Sequence, residues 1–356
     1  MFPYILFVIF MLFFYWNRQP KMMLLLMMIF AGIRSDIGWD YGNYYAMCTN
    51  YDVLEYVQEK YSILWSAYFT LAYNLKIPHL AVVIPSLLTY YLVYKSANLY
   101  FDGNTKAISF ALLIFALWPD FYFTSLSTIR QHLAVGVALY SGALFCKDRR
   151  LPAIMLAGIN YLVHPSSIVI LVIFLLLLLK KRLRFMMMLG LSLLVVLSLV
   201  LIEDIISVIS IAEIQEYGER YLSLEDNFGG KYKYVLALVL LVLAVIYPNI
   251  RSEQVMLSKT ATITIMGIVF ILVVYATGAS SVLGRVGTYF TIYMILSLGP
   301  QLSQLKNAPV WRTAVILFCV VLFFMQLIVT ADTAQLESNS AYLPYKTIFS
   351  ENQPLY

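Results

Sequence analysis

The chain has 356 residues, of which 62% are hydrophobic and only 12% are charged, and its formal net charge is +5. A soluble domain of this length needs far more Lys, Glu, Asp and Arg on its surface, so the composition excludes one. The mean hydropathy of +0.80 and the apolar runs along the chain predict an all-α polytopic integral membrane protein, with residues 1–356 forming one multi-pass domain. The basic excess then indicates membrane orientation, and no nucleic-acid partner is expected.

The apolar segments, and the charges between them, predict how the chain crosses the membrane. The segments are 2–16, 22–33, 61–77, 80–94, 107–119, 133–146, 151–163, 166–179, 185–202, 234–248, 261–277, 288–304 and 313–330. Most Lys and Arg residues fall in one alternate set of connections, which the positive-inside rule assigns to the cytoplasm. The other connections then face outward, and they include 34–60, 120–130, 203–233 and the tail 331–356.

Segment 61–77 does not fit this alternation of faces. If it crosses the membrane fully, Arg34 and Arg130 lie on opposite faces. We therefore predict a hairpin arm or a partly inserted helix here, which leaves about 12 crossings with both termini outside. The alternative is about 13 crossings, with the cluster around Arg34 in the cytoplasm.

Polar and charged residues gather at the outer ends of four apolar segments. These stretches are 34–44, 127–136, 161–167 and 280–290. An arginine near the hydrocarbon boundary is costly unless it is paired or lines an aqueous cavity. Three of them on one face, Arg34, Arg130 and Arg285, indicate a polyanionic ligand such as a diphosphate, which guanidinium groups bind bidentately. The alternative is that these arginines snorkel or form structural ion pairs. The candidate acidic partners are Asp36, Asp40 and Asp120.

Two residues are candidates for a general base. His164 precedes Pro165 in a break between two short apolar runs, and imidazole is the side chain that titrates near neutral pH. The contexts of His79 and His132 do not indicate a site. Asp40 is the second candidate base, whereas Asp36 is as readily a partner of Arg34.

Catalysis with a bound metal or nucleotide has no support in the sequence. The three cysteines are scattered without metal-ligand spacing, so no metal site is expected. No Walker A, HExxH, GxSxG or Rossmann fingerprint is present, so no cofactor is expected either. The aromatic residues of the outward connections, among them Tyr44, fit an interfacial belt or a surface that stacks on sugar rings.

The ordered set of polar motifs resembles the EpsG-like branch of the bacterial Wzy-type polysaccharide polymerases. The pattern comprises R-x3-G-x-D-x3-Y after the second helix, I-R-Q in mid-chain, H-P-S-S, a late R-x3-Y-F and a C-terminal Y-x2-P-Y. The matching residues are Arg34, Gly38, Asp40, Tyr44, Arg130, Gln131, His164, Ser166, Ser167, Arg285, Tyr289, Tyr342, Pro344 and Tyr345. Trp39 departs from the pattern, since a small residue is usual there.

The resemblance implies a GT-C-like membrane glycosyltransferase of the bacterial inner membrane, with its site at the periplasmic face and no metal or cofactor. Its substrates would be donor and acceptor oligosaccharide units on undecaprenyl diphosphate, within the membrane lipid, and a separate co-polymerase would set chain length. Arg130 and Arg285 would then bind the donor diphosphate, and Asp40 or His164 would act as base beside Arg34. The residues expected to contact glycan or complete the polar network are Asp36, Tyr44, Gln131, Tyr289 and Tyr345.

Two other classes of protein share part of this pattern. An O-antigen ligase would use the same carrier lipid, but it would join finished polymer to the lipopolysaccharide core. A flippase or transporter would also be polytopic, but it is expected to carry charges or broken helices near the bilayer midplane. The charges of this chain gather at one face in the predicted topology, which favours the polymerase.

Overall fold

A computed structural model describes residues 1–178, 260–271 without 262 and 269, 281–334 and 341–349. The predicted connection 203–233 and the apolar segments 185–202 and 234–248 lie outside these residues. The chain divides into two compact units, Met1–Ile170 with Pro309–Tyr356 and Leu171–Ala308. Each unit is described by itself, and a single membrane domain stays a prediction.

The regular secondary structure of the described residues is α-helical, apart from one 3₁₀ helix at Pro165–Ile168 and an isolated β-bridge, and no strand occurs among them. In the first unit the helices are α1 Phe2–Trp16, α2 Pro20–Gly32, α3 Tyr41–Ala46, α4 Tyr51–Lys60, α5 Ile63–Asn74, α6 Leu80–Tyr100, α7 Thr105–Leu117, α8 Pro119–Ser127, α9 Ile129–Cys146 and α10 Arg150–Val163. Helix α11 (Val169–Leu178) runs into the second unit, which contains α12 (Ser281–Thr291) and α13 (Met294–Leu302). Helix α14 (Ala308–Ala334) returns to the first unit.

Two of the described helices are long and apolar enough to cross a membrane, Leu80–Tyr100 and Ala308–Thr330. A third candidate is the pair α7 and α8, which are bent by 61° at a short break. Helices α1, α2 and α10 are apolar but shorter. The chain is thus an all-α membrane protein, and the number of crossings stays a prediction.

Local sequence explains where these helices begin and bend. Pro20 and Pro119 occupy the first turns of α2 and α8, where the missing N–H costs no hydrogen bond. Asn50 and Asn104 cap α4 and α7 by accepting backbone N–H groups. The stretch 120–130, which the sequence predicts as an outward connection, is not an open loop. It is almost entirely helical and mostly buried, and its Ser125 and Thr128 hydroxyl groups are satisfied by carbonyls of the preceding turn.

Segment 61–77 contains the short helix α5. Its 12 residues rise about 18 Å, well short of the roughly 30 Å of a hydrocarbon core. The preceding helix α4 packs against it, and Gln58 donates a hydrogen bond to Thr70 across the pair at 3.0 Å. A helical hairpin therefore follows the stretch around Arg34.

The core of the first unit is built on helix α9, which packs against both α6 and α10. A buried cluster of aromatic rings then ties the tail and α14 to the first two helices. The rings are Tyr4, Phe7, Phe30, Tyr122, Phe123, Phe323, Tyr342 and Tyr345. Because this cluster lies under the C-terminal end of α2, it positions the residues that follow that helix.

In the second unit, residues 260–271 pack closely against α12. A Cβ atom added at Gly267 would lie 2.5 Å from the Phe290 Cβ, and one added at Gly287 would lie 2.2 Å from the Ile271 side chain. The apolar segment 288–304 is not one helix, since it is divided between α12 and α13 at residues 292–293.

Candidate functional site

The exit of helix α2 is paired with the C-terminal tail. Residues 341–349, called the tail segment here, run antiparallel to residues 33–38. The Ser35 N–H donates to the Lys346 carbonyl at 3.0 Å, and the Ile348 N–H donates to the Ile33 carbonyl at 2.9 Å. A single β-bridge joins Arg34 to Thr347 between them. The tail segment is therefore part of the same structure as the stretch 34–44.

Arg34 is completely buried beneath this pairing, with 0% of its surface exposed. Its guanidinium donates to the Ala31 carbonyl, the Ser86 hydroxyl and the Leu126 carbonyl, each at 3.3 Å. The Nε atom has no hydrogen-bond partner among the described residues. Arg34 thus links the ends of α2 and α8 to α6, and in this conformation a substrate atom could reach it only after rearrangement.

The tail segment is held by two tyrosines and one ion pair. The Tyr342 hydroxyl donates to the Phe123 carbonyl at 3.1 Å, and the Tyr345 hydroxyl donates to the Phe30 carbonyl. Burial raises the pKa of both phenols, so both stay neutral donors. The Lys346 Nζ lies 2.9 Å from the Asp36 carboxylate. Asp36 therefore pairs with Lys346, whereas the sequence offered Arg34 as one possible partner.

Gly38 brings the chain directly against the break between α8 and α9. Its φ angle is +104°, and a Cβ atom there would lie 2.2 Å from the Leu126 carbonyl oxygen. The Gly38 N–H donates to the Ala341 carbonyl at 2.6 Å, and the next N–H, of Trp39, donates to the Ser127 hydroxyl at 3.1 Å. Only a residue without a side chain fits this position.

Tyr44 connects two of the predicted site residues, Asp40 and Arg130. Burial raises the pKa of Tyr44. The Arg130 guanidinium opposes this rise, both by its positive charge and by hydrogen bonding to the phenol, whereas the negative charge of Asp40 raises the pKa further. Asp40 is half-buried at the start of α3, and Arg130 lies in the first turn of α9. The Arg130 guanidinium therefore hydrogen-bonds to this buried phenol, and the Asp40 carboxylate acts on it by charge.

The Arg130 guanidinium is stacked on aromatic rings of the α4–α5 hairpin. Its Cζ lies 3.8 Å from the centroid of the Tyr61 ring and 5.9 Å from that of Trp65. Such cation–π contacts stabilise by about 0.5–2 kcal/mol and fix the plane of the guanidinium. Its Nε is buried without a hydrogen-bond partner in the part of the chain that the structure describes.

The same hairpin contacts the break at His164. The Trp65 Nε1–H donates to the Val163 carbonyl at 2.6 Å, and the Ser62 hydroxyl donates to the Leu162 carbonyl at 2.5 Å. Helix α5 thus joins the Arg130 region to the end of α10. From the sequence, neither Tyr61 nor Trp65 was selected as a site residue, because neither belongs to a polar motif.

His164 itself caps the 3₁₀ helix Pro165–Ile168. Its Nδ1 accepts the Ser166 backbone N–H at 3.3 Å and lies 2.6 Å from the Ser166 hydroxyl. A backbone N–H can only donate, so Nδ1 carries a lone pair and the proton of a neutral ring is on Nε2. In this tautomer His164 can donate a proton at Nε2 but cannot accept one there.

His79, which the sequence gave no reason to select, lies beside the Arg34 cluster. Its Nε2 donates to the Gly32 carbonyl at 2.7 Å, because a carbonyl can only accept, and its Nδ1 accepts from the Tyr41 hydroxyl at 3.2 Å. Burial, and to a lesser extent the charge of Arg34, lower the pKa of His79. It is thus a neutral connector between α2 and α3.

The remaining predicted residues lie in different places. Gln131 is buried in α9 beside Arg130 in sequence, and therefore projects about 100° away from it around the helix. Arg285 and Tyr289 belong to the second unit, one helical turn apart on α12, where Arg285 is exposed and Tyr289 is buried. No His, Cys, Asp or Glu cluster suited to a metal ion occurs within the described ranges.

Fold and site together define an all-α membrane protein with charged and aromatic residues gathered at helix ends. The chain belongs to the EpsG family, whose model matches residues 20–347. That membership assigns it to polysaccharide biosynthesis, as a polymerase-like protein of the glycosyltransferase kind. No curated protein and no solved structure matches the chain.

Proposed function

We propose that the protein polymerises oligosaccharide repeat units carried on undecaprenyl diphosphate, at the periplasmic face of the bacterial inner membrane. The growing chain is transferred to the non-reducing end of an incoming unit. The observation that supports the proposal most directly is the Arg130 guanidinium, which the Tyr61 ring fixes at 3.8 Å and which hydrogen-bonds to the Tyr44 phenol, a phenol whose pKa the Asp40 charge also raises. Family membership supports the reaction class.

The proposed reaction needs one proton acceptor and one group that stabilises the leaving diphosphate. The acceptor hydroxyl oxygen bonds to the anomeric carbon of the donor chain, and the bond from that carbon to the diphosphate oxygen breaks. The electron pair leaves with undecaprenyl diphosphate, and the hydroxyl proton passes to a carboxylate of the protein. Arginine suits the leaving group because it stays protonated and binds two phosphate oxygens at once.

We assign residue roles in this reaction as follows. Arg130 binds the donor diphosphate, and the same role predicted for Arg285 rests on the sequence alone. Asp40 acts as the base, and the charges of Asp40 and Arg130 both act on the Tyr44 phenol. Arg34 is a positioning residue, because it is fully buried and links α2, α6 and α8. The predicted glycan-contacting residues that remain are Asp36, Gln131, Tyr289 and Tyr345.

Three substitutions separate the two candidate bases. His164→Asn keeps an acceptor at the helix cap and is expected to leave polymer synthesis within about threefold of normal. His164→Ala loses the cap and costs about 1 kcal/mol of stability. Asp40→Asn is expected to slow polymerisation by about a hundredfold or more, because it removes the proton acceptor. The measurement is polymer formed per amount of inserted protein. A stable but inactive His164→Asn variant would transfer the role of base to His164.

Deletion of the gene followed by complementation tests the proposed function itself. We expect the surface-polysaccharide ladder to disappear on a gel while a single repeat unit remains attached to the lipid core. Plasmid-borne wild-type protein should restore the ladder. Loss of every unit, including the first, would instead identify a ligase or a flippase, and an unchanged ladder would refute the proposal.

A further inference from the structure

A cavity of about 510 Å³ lies at the end of α2 remote from Arg34. The 13 residues of α2 separate the two places by about 20 Å along the helix. The cavity lies between the α1–α2 turn, the second half of α6 and the start of α7. It is therefore distinct from the proposed polymerisation site, and a ligand bound in it would not depend on that site.

Two basic side chains lie at this cavity, Arg18 and Lys21. Both residues are exposed, and no ion pair joins either of them to a carboxylate within the described residues. Lys147, by contrast, pairs with Asp102 at 2.6 Å. Two such cations beside one cavity favour an anionic ligand.

The other walls of the cavity are amphipathic. Met22, Tyr94 and Ile108 supply apolar surface, and Asn98 and Thr105 supply polar groups. A purely polar metabolite would leave the apolar wall in contact with water, whereas a lipid can cover it with an acyl chain. The lining thus combines a site for a charged headgroup with a site for a hydrocarbon chain.

In the predicted topology the cavity lies at the level of the lipid headgroups, at the turn between two apolar segments. Trp16 ends α1 immediately before the turn and is 83% exposed, as expected of an aromatic residue at the membrane interface. Phe10 and Phe13 on the same helix are also exposed, which suits contact with acyl chains. Basic pockets between membrane helices bind anionic headgroups on the cytoplasmic side, where the predicted topology places Arg18 and Lys21.

We propose that this cavity, with Arg18 and Lys21 at its mouth, binds one anionic phospholipid. The two cations contact the phosphodiester, and one acyl chain follows the apolar wall formed by Met22 and Ile108. A free phosphate compound would share the headgroup contacts only. Contact with an acyl chain therefore distinguishes a bound phospholipid from a soluble phosphate compound.

Native mass spectrometry of the purified, delipidated full-length protein tests the site. Phosphatidylglycerol, phosphatidylcholine with the same acyl chains, and glycerol 3-phosphate are titrated separately. We expect one tightly bound phosphatidylglycerol, with much weaker binding of the other two. The double variant Arg18→Gln/Lys21→Gln should bind phosphatidylglycerol about 30-fold more weakly, which is about fivefold for each charge near a headgroup.

Matched variants make this result interpretable. Arg149→Gln/Arg150→Gln removes the same charge from another exposed turn and should bind as the wild type does. Thr105→Trp keeps both cations but narrows the cavity, so it should also weaken binding. The proposal would be refuted if the control double variant lost as much phosphatidylglycerol affinity as Arg18→Gln/Lys21→Gln does. It would also be refuted if the wild type bound phosphatidylcholine as tightly as phosphatidylglycerol. Glycerol 3-phosphate binding as tightly as the lipid would refute a lipid ligand and leave a soluble phosphate site.

Discussion

Replacing Gly38 with alanine is expected to prevent stable folding of the first unit, at a cost of about 3 kcal/mol or more. The new methyl group would lie 2.2 Å from the Leu126 carbonyl oxygen, which is backbone and cannot turn away. The φ angle of +104° adds strain of its own. The amount of membrane-inserted protein and its melting temperature in detergent measure the effect.

Two other glycines separate the causes of this loss. Gly103 has a φ of +77°, but no atom lies within 4 Å of a Cβ added there. The Gly103→Ala variant should therefore show the cost of backbone strain without a steric clash. Gly158→Ala has neither problem, because it lies in helix α10 with open space around it, and it should be neutral or slightly stabilising. If Gly38→Ala were as stable as Gly158→Ala, the contact between residue 38 and the break after α8 would be wrong.

Replacing Arg130 with alanine is expected to abolish long polymer, with a fall in rate of about a hundredfold to a thousandfold. The guanidinium is the charge that the proposed mechanism sets against the leaving diphosphate. Arg130→Lys keeps the charge but loses the planar group that stacks on Tyr61 at 3.8 Å, so it should recover only part of the activity. Polymer length on a gel, with immunoblotting of the membrane fraction, measures both variants.

The aromatic side of this contact gives an independent check on Arg130. Tyr61→Phe keeps the ring and should leave the polymer unchanged, whereas Tyr61→Leu should lower activity by about tenfold, because the guanidinium loses its fixed plane. Arg149→Ala, at an exposed turn, serves as the control for loss of a positive charge. Long polymer made by a stably inserted Arg130→Ala variant would remove Arg130 from the mechanism.

The contact at Tyr61 also gives the α4–α5 hairpin a role in the proposed site. From the sequence, segment 61–77 is predicted to be a hairpin arm or a partly inserted helix that disturbs the alternation of faces, with no link to the polar clusters. In the structure its first residues hold Arg130 through Tyr61, and hold the end of α10 through Trp65. The short helix α5 therefore connects two polar motifs that are more than 30 residues apart in the chain.

The sequence by itself determined the class of protein and where its polar clusters lie. Hydropathy is a property of each segment alone, so an all-α membrane protein follows from composition and from the length of apolar runs. The EpsG resemblance depends on motifs that are local, such as the residues from Arg34 to Tyr44, and the family match over residues 20–347 confirms it. The break at His164 was also predictable, because the following proline opens the backbone locally.

Only the tertiary structure decided which residues these clusters contact. The sequence offered Arg34 as the partner of Asp36, but the tail segment supplies Lys346 instead, more than 300 residues away. Arg34 donates to the Leu126 carbonyl, and no sequence pattern marks one backbone carbonyl as an acceptor. His79 likewise joins the cluster only because α6 begins beside the end of α2. Such contacts depend on how distant segments pack, and packing is not encoded in any single stretch of sequence.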